Sequence, residues 1–382
     1  LTGAVMEQMM LQKIACITMV FLLMAGTTAL PTITFAASAE GGLMLQSKSR
    51  VVLPAWVRHV EQQSSQSQSA EDQVTLAQAY LQLARQPGWS RYFDKAQQLL
   101  KKAHSPSSAA YWLALADISQ QQHQFEDALN YLAKAQKLQP DDINALLMKN
   151  RIYLVQNNTT AALAECKKLL GQQELFLLSL CSLEVAGRQG KTQDSYKALQ
   201  LLARQQQSIP LAQQQWLIAV LAEQAEFLHQ PKQARAWLEQ LLFAAQSELA
   251  PLPLWVKWAD LTLKQDATLV YQKLQHLHQH QQLEDALLLR LALAEQQLAE
   301  GQEYQVLMQQ RVSLREQRQD TLHSADLAHY YLRLAPDPKK ALYYARLNVQ
   351  QAQEPDDQQL FTLALKQSQQ DTSPSVQTGE QP

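Results

Sequence analysis

The chain has 382 residues, of which only 10 are glycine, and aromatic residues make up 7% of it. This composition disfavours a glycine-rich all-β protein, and the length suits two or three ordinary domains or one long array of repeats. The formal net charge of −2 provides no basic surface for nucleic acid, so binding to phosphate polymers is disfavoured.

The first 39 residues have the features of a targeting segment. Lys13 precedes an apolar stretch over residues 14–25, and the small residues Ala37 and Ala39 suit cleavage by a signal peptidase. The apolar stretch is short for a transmembrane helix. We therefore expect residues 1–39 to be a signal peptide that directs the mature chain to the periplasm. The alternative is an uncleaved segment that anchors the chain in the inner membrane.

Residues 40–70 combine an apolar patch, from Val51 to Val60, with a polar stretch rich in Gln and Ser. This composition is typical of a flexible linker. The patch is a candidate to dock on another apolar surface of the chain.

A helical hairpin is predicted between residues 109 and 142. Apolar residues lie on one face of a first helix and on one face of a second, with a polar break between them. Ala116 and Ala128 are small and allow close helix contact, and Pro140 closes the hairpin because it cannot continue a helix. The residues are Trp112, Leu115, Ala116, Ala128, Leu132, Ala135 and Pro140.

This pattern of Trp, Leu, small residue, Ala, bulky apolar residue and Pro over about 34 residues resembles the tetratricopeptide repeat. Matching positions recur regularly over residues 76–246 and irregularly over residues 249–355. The resemblance implies an all-α fold over residues 71–366, a right-handed superhelical solenoid of antiparallel helix pairs. The polar residues 367–382 are predicted to be a disordered tail.

Two cysteines, Cys166 and Cys181, fall on the second helix of one predicted pair and on the first helix of the next. Those helices are neighbours in a stacked array, so the thiols can form a disulfide in an oxidising compartment. The alternative is two buried free thiols that pack as small apolar residues. Their spacing matches no zinc-site pattern.

No catalytic motif is found in the sequence, which lacks a phosphate-binding glycine loop and a nucleophile elbow. His276, His278 and His280 form the only local concentration of metal-ligating residues, and no acidic residue or cysteine accompanies them. A polar helix end explains them better than a metal site. We expect no enzyme activity, no cofactor and no bound metal.

The family resemblance implies a binding scaffold whose concave groove is lined by the first helix of each pair. We expect a protein or peptide partner in this groove, and membrane contact only through a partner or an uncleaved signal segment. The alternative is a structural spacer subunit of an export or assembly machine in the cell envelope.

The groove positions implied by the resemblance combine an apolar stripe with a few charged residues. An exposed stripe of this kind usually marks a partner site, and the charges Arg151, Glu184, Arg188 and Glu223 would set the partner's orientation. The alternative is that the chain covers the stripe itself, by tighter coiling or by docking Val51 to Val60. The complete set is Leu113, Asp117, Gln120, Asn144, Leu147, Arg151, Leu154, Val155, Leu177, Leu180, Glu184, Arg188, Trp216, Ala219, Glu223 and Phe227.

Overall fold

The structure is a computed structural model that describes residues 53–67, 69–205, 209–244, 250–280 and 283–372. The described residues form helices joined by turns and contain no β-strand. None of these helices is long and apolar enough to cross a lipid bilayer. The predicted signal peptide, residues 1–39, lies outside the described residues.

Helix α1 (Ala55–Ser67) covers the N-terminal end of the array. Val57 is fully buried in the apolar cluster of the first helix pair. The hydroxyl of Tyr80, in that pair, donates a hydrogen bond to Glu61 Oε1 at 2.6 Å. The prediction of a flexible linker is therefore wrong for residues 55–67, because Trp56, Val57 and Val60 pack against the first pair and close its open end as a terminal cap.

Antiparallel helix pairs of the predicted kind follow. The two helices of each pair pack against each other, and each pair contacts the next along the chain. The pairs are α2 (Ala70–Ala84) with α3 (Tyr92–Ala103), α4 (Ala109–Gln121) with α5 (Phe125–Leu138), α6 (Ile143–Val155) with α7 (Thr159–Lys168), α8 (Leu175–Ala186) with α9 (Thr192–Gln205), and α10 (Leu211–Phe227) with α11 (Pro231–Leu242).

The turn inside three of these pairs has the same backbone geometry. His123, Asn157 and His229 adopt left-handed conformations with φ values of 58°, 57° and 57°. The amide of the residue after each of them donates to a carbonyl five residues back, at 2.8, 2.7 and 2.8 Å. This is the Schellman arrangement, which ends the first helix and fixes where the second begins.

In the described residues the second half of the array consists of seven further helices, from Leu252 to Thr372. Its last helix, α18, continues to Thr372, so the prediction of a disordered tail is wrong for residues 367–372. Residues 373–382 lie outside the described part of the chain. The helices of this half are α12 (Leu252–Leu263), α13 (Ala267–His280), α14 (Asp285–Leu298), α15 (Glu303–Gln317), α16 (Ser324–Arg333), α17 (Pro338–Gln351) and α18 (Pro355–Thr372).

Helix α14 is the centre of this half, since every residue from Leu287 to Glu295 is buried. Arg290 in its middle donates to Asp260 Oδ2 at 2.7 Å and to Asp326 Oδ1 at 3.3 Å. A buried guanidinium needs such partners because an unpaired charge inside a protein is costly. The ion pairs join α14 to α12 and α16.

The array also closes on itself, so that its second half contacts turns of its first half. The amide of Leu252 donates to the carbonyl of Arg85 at 2.8 Å. Glu284 accepts a hydrogen bond from the amide of Gly88, at 2.7 Å to Oε2. Further along, His123 Nε2 lies 3.4 Å from His323 Nδ1. These contacts are polar, in contrast to the apolar packing inside the pairs.

Cys166 of α7 and Cys181 of α8 are bonded to each other, with their Cα atoms 5.6 Å apart. Both residues are fully buried. The bond therefore links the second helix of one pair to the first helix of the next.

Candidate functional site

The candidate site is built on the first helices, at the place where the chain between α17 and α18 lies against them. The inner cluster consists of Arg151 on α6, Arg188 just after α8, Glu223 on α10 and Lys257 on α12. The acidic turn, residues 353–357, lies against this cluster.

Local sequence explains the conformation of the acidic turn. Pro355 begins α18, so Glu354 occupies the N-cap position, and Asp357 stands at the third helical position. The side chain of Asp357 accepts hydrogen bonds from the Glu354 amide at 3.0 Å and from Asn348 Nδ2 at 2.7 Å. An acidic residue at the third position that accepts from the N-cap amide is half of a capping box. The turn is thus held in shape by its own helix start, and the Glu354 side chain is free to contact the inner cluster.

Arg188 is the central cation of the inner cluster, and its side chain is 7% exposed. Its Nη2 atom donates to Glu223 Oε1 at 2.7 Å and to Glu354 Oε1 at 2.9 Å. One planar guanidinium therefore binds a carboxylate of the first helices and a carboxylate of the acidic turn at once, which suits the fork-like geometry of arginine.

Three further contacts hold the acidic turn. Arg151 Nη2 donates to the other oxygen of Glu354 at 3.1 Å. The amide of Gln353 donates to the carbonyl of Val155 at 2.7 Å. Lys257 Nζ donates to Asp356 Oδ2 at 2.5 Å. Groups on α6, just after α8 and on α12 therefore bind two carboxylates and one backbone amide of a short segment.

The electrostatics of the site follow from its charge balance, in which several carboxylates share few cations. Burial opposes ionisation of Glu354, but the charges of Arg151 and Arg188 hold its pKa below the ordinary value. Burial raises the pKa of Glu223 to about 7. The charge of Arg188 lowers this pKa, but the nearby carboxylates of Glu184 and Glu354 raise it and so offset part of that effect. Glu354 is the ionised ligand of the site, and Glu223 titrates near neutral pH.

The apolar stripe predicted from the sequence is not an exposed surface in the described residues. Leu154 and Leu180 are 1% and 0% exposed, and they pack in the clusters between neighbouring pairs. The alternative of tighter coiling applies here, since Ala352 from the second half packs in one cluster with Leu113 and Val155. The predicted residues that are buried are Leu113, Asp117, Leu154, Val155, Leu177, Leu180 and Glu184.

The other predicted positions are partly or fully accessible. Asn144 and Arg151 are exposed. Trp216 is half-buried, and its Nε1 atom donates to Glu184 Oε2 at 2.8 Å. The remaining half-buried positions are Gln120, Leu147, Arg188, Ala219, Glu223 and Phe227.

Sequence reasoning named Arg151, Arg188 and Glu223 but missed Lys257 and the acidic turn. A signal for the turn was present, because the stretch Glu-Pro-Asp-Asp at residues 354–357 puts three carboxylates at a helix start. That pattern is also what an ordinary solvated helix N-terminus shows. The role of the predicted residues in binding a partner stays a prediction.

The histidines considered as metal ligands from the sequence, His276, His278 and His280, lie on α13. No three or more His, Cys, Asp or Glu residues in the part of the chain that the structure describes are grouped so that they could hold a metal ion. His276 is exposed, and the ring of His278 contacts the edge of Tyr304. The side chain of His280 lies outside the described residues.

No family model and no curated protein matches this chain. A solved structure of Naa15/Naa10 bound to HypK-THB is similar to it with a TM-score of 0.26 and 11% sequence identity. The similarity covers 81% of this chain and 58% of that chain, so this chain spans less than two thirds of its length. A likeness of this degree carries no argument about activity or partners.

Proposed function

We propose that this chain is a non-enzymatic scaffold that holds a segment of a partner protein against the inner side of its first helices. The observation that supports the proposal is that the inner cluster holds a short segment of the chain itself. That segment is bound by two ion pairs to Glu354 and by a backbone hydrogen bond from Gln353. The groups that bind it belong to two successive helix pairs, as is expected for a segment that lies across an array rather than for packing within one pair.

The proposal includes a location in the periplasm, reached through cleavage of the signal peptide after the small residues near Ala37 and Ala39. Mass spectrometry of the periplasmic protein tests this point. A mature chain that begins between Ala37 and Glu40 agrees with it. An intact N-terminus retained in the membrane fraction contradicts it.

Site-directed photo-crosslinking in cells tests the scaffold function. A benzophenone amino acid is placed at Asn144, which is exposed on α6, and at Lys197 as the matched control, which is exposed on α9. We expect crosslinked partner protein from Asn144 and none from Lys197. Crosslinks from Lys197 alone would contradict the proposal and favour a spacer subunit that contacts its neighbours through its outer helices.

A further inference from the structure

The acidic turn contacts the inner cluster as a ligand contacts a binding site. Its recognised groups are two carboxylates, those of Glu354 and Asp356, and the amide of Gln353. All the cations that bind them belong to other helix pairs, and Arg188 is 166 residues away from Glu354 in the chain. The contact is therefore a tertiary one, made by groups that a separate peptide could equally supply.

The binding groups are matched to the carboxylate side chains of an acidic segment. Arg151 and Arg188 each bind one oxygen of Glu354, at 3.1 and 2.9 Å. Lys257 is held by Glu226 at 2.9 Å on the first helices and reaches Asp356 with the same ammonium group. The site thus selects two acidic side chains that are two residues apart, together with the preceding backbone amide.

The same charges make the turn replaceable. If the acidic turn leaves, Arg188 keeps Glu223 and Lys257 keeps Glu226, while Arg151, which loses Glu354, has a side chain that is 45% exposed and can be solvated by water. Most of the interaction with the turn is ionic, and an acidic segment from another protein restores the same contacts. The turn connects α17 to α18, so its exchange requires these two helices to move away from the first helices.

We propose that the acidic turn is an internal ligand of the inner cluster, and that a partner protein presents an acidic segment of the same kind in its place. This inference rests on the proposed scaffold function and narrows the partner to one that carries an internal acidic stretch. In the closed array the turn competes with the partner. Binding of the partner is accordingly coupled to opening of the last helices.

A peptide-binding experiment on the full mature chain tests this competition. The probe is a fluorescein-labelled peptide with the sequence of residues 351–358, QAQEPDDQ, and fluorescence anisotropy measures its affinity. The release variant carries Glu354→Gln and Asp356→Asn, which remove two charges at nearly constant shape. We expect it to bind the probe at least about tenfold more tightly than the unchanged chain, because its site is not occupied by a charged turn.

Two controls establish where the probe binds. The neutral peptide QAQQPNNQ should not bind the release variant. Adding Arg151→Gln to the release variant should weaken binding of the acidic probe, and adding Lys197→Gln, on the outer helix α9, should not. Arg151 is suited to this test because its side chain is 45% exposed, so its replacement leaves the core intact. A folded release variant that binds the acidic probe no better than the unchanged chain overturns the inference.

Hydrogen exchange on the unchanged chain gives an answer even if the release variant does not fold. The amide of Gln353 is bonded to the carbonyl of Val155, and excess acidic probe should speed up its exchange while the neutral peptide should not. Unchanged exchange at saturating probe also overturns the inference. Crosslinks from α6 without binding of the acidic probe would reject the acidic ligand and keep the scaffold function, whereas probe binding without crosslinks would reject the scaffold function.

Discussion

Replacement of Leu154 by Ala tests whether this residue belongs to a partner-binding stripe or to the structural core. Leu154 is one of the apolar groove positions predicted from the sequence, and in the structure it is 1% exposed. It packs in a cluster that includes Leu177, Cys181 and Val185 of the next helix pair. A side chain in this position stabilises the contact between two pairs, which is the interaction that holds a repeat array together.

The expected loss of stability follows from burial. A fully buried leucine replaced by alanine leaves a cavity, and such changes cost about 3 to 5 kcal/mol of unfolding free energy. Leu147, on the same helix, is half-buried, so Leu147→Ala should cost about 1 kcal/mol. Leu201, on α9, is 56% exposed, and Leu201→Ala should change stability by less than about 0.5 kcal/mol.

Urea unfolding followed by tryptophan fluorescence and by circular dichroism measures the three variants against the unchanged chain. Because a repeat array can unfold in parts, the two signals are compared before a single free energy is assigned. A loss below about 1 kcal/mol for Leu154→Ala would refute the burial argument and return Leu154 to an open groove. Partner capture in the crosslinking assay should fall only in proportion to the unfolded fraction.

Three other predictions concern the charged groups and the disulfide. Since the folded-state pKa of Glu223 is raised to about 7, its contribution favours the folded state at low pH and is lost as the pH rises through 7. The unfolding free energy of the unchanged chain, measured by urea titration, should therefore fall between pH 5 and pH 8 by on the order of 1 to 3 kcal/mol more than that of Glu223→Gln. The same pH dependence for the two chains would contradict this. Arg290→Met should cost about 1 to 3 kcal/mol because Asp326 loses its ion pair with Arg290 while Asp260 keeps Arg333. Adding Asp326→Asn should recover part of this cost, and the exposed control Arg346→Met should be neutral; equal melting temperatures for the two single variants would reject the pairing. Reduction of the bond between Cys166 and Cys181, which are 15 residues apart, should lower the unfolding free energy by about 3 kcal/mol, and dithiothreitol should not affect the double variant Cys166→Ala, Cys181→Ala; two free thiols in the denatured, unreduced chain would exclude the bond.

The helix pairs were predictable because their pattern is local. Ala116 and Ala128, chosen from the sequence as close-contact residues, are both fully buried between α4 and α5. The same holds for Ala162 and Ala234 in later pairs. Each contact of this kind joins residues that are near in sequence, so hydrophobic periodicity is sufficient to identify it.

The ends of the array were harder to predict because composition suggested disorder there. The stretch around Gln62 and Ser64 is polar enough to resemble a linker, yet it lies in α1, where Ser64 is buried. Only Val57 and its apolar neighbours show that this helix has a surface to cover. A terminal cap needs one apolar face and a polar outer face. The linker prediction rested on the polar composition, which reflects the outer face and not the apolar one.

The closure of the array depends on contacts that no local pattern contains. The distances along the chain are large: 200 residues separate His123 from His323, and 203 separate Arg151 from Glu354. Each of these residues, taken by itself, looks like a solvated side chain on a helix or turn. The sequence therefore named Arg151, Arg188 and Glu223 as groove positions, but the segment that lies against them could not be inferred.

Polar contacts and apolar contacts have different roles in this closure. Burial in the apolar clusters stabilises the pairs and is non-directional, whereas an ion pair requires its two groups at hydrogen-bond distance. A shift of α18 by one turn would move Glu354 by about 5.4 Å. That displacement is larger than the 2.9 and 3.1 Å that separate its oxygens from Arg188 and Arg151, so both ion pairs would break. The inner cluster thus specifies where the second half meets the first, and an acidic partner that takes the place of Glu354 would remove that specification while leaving the apolar pairs in place.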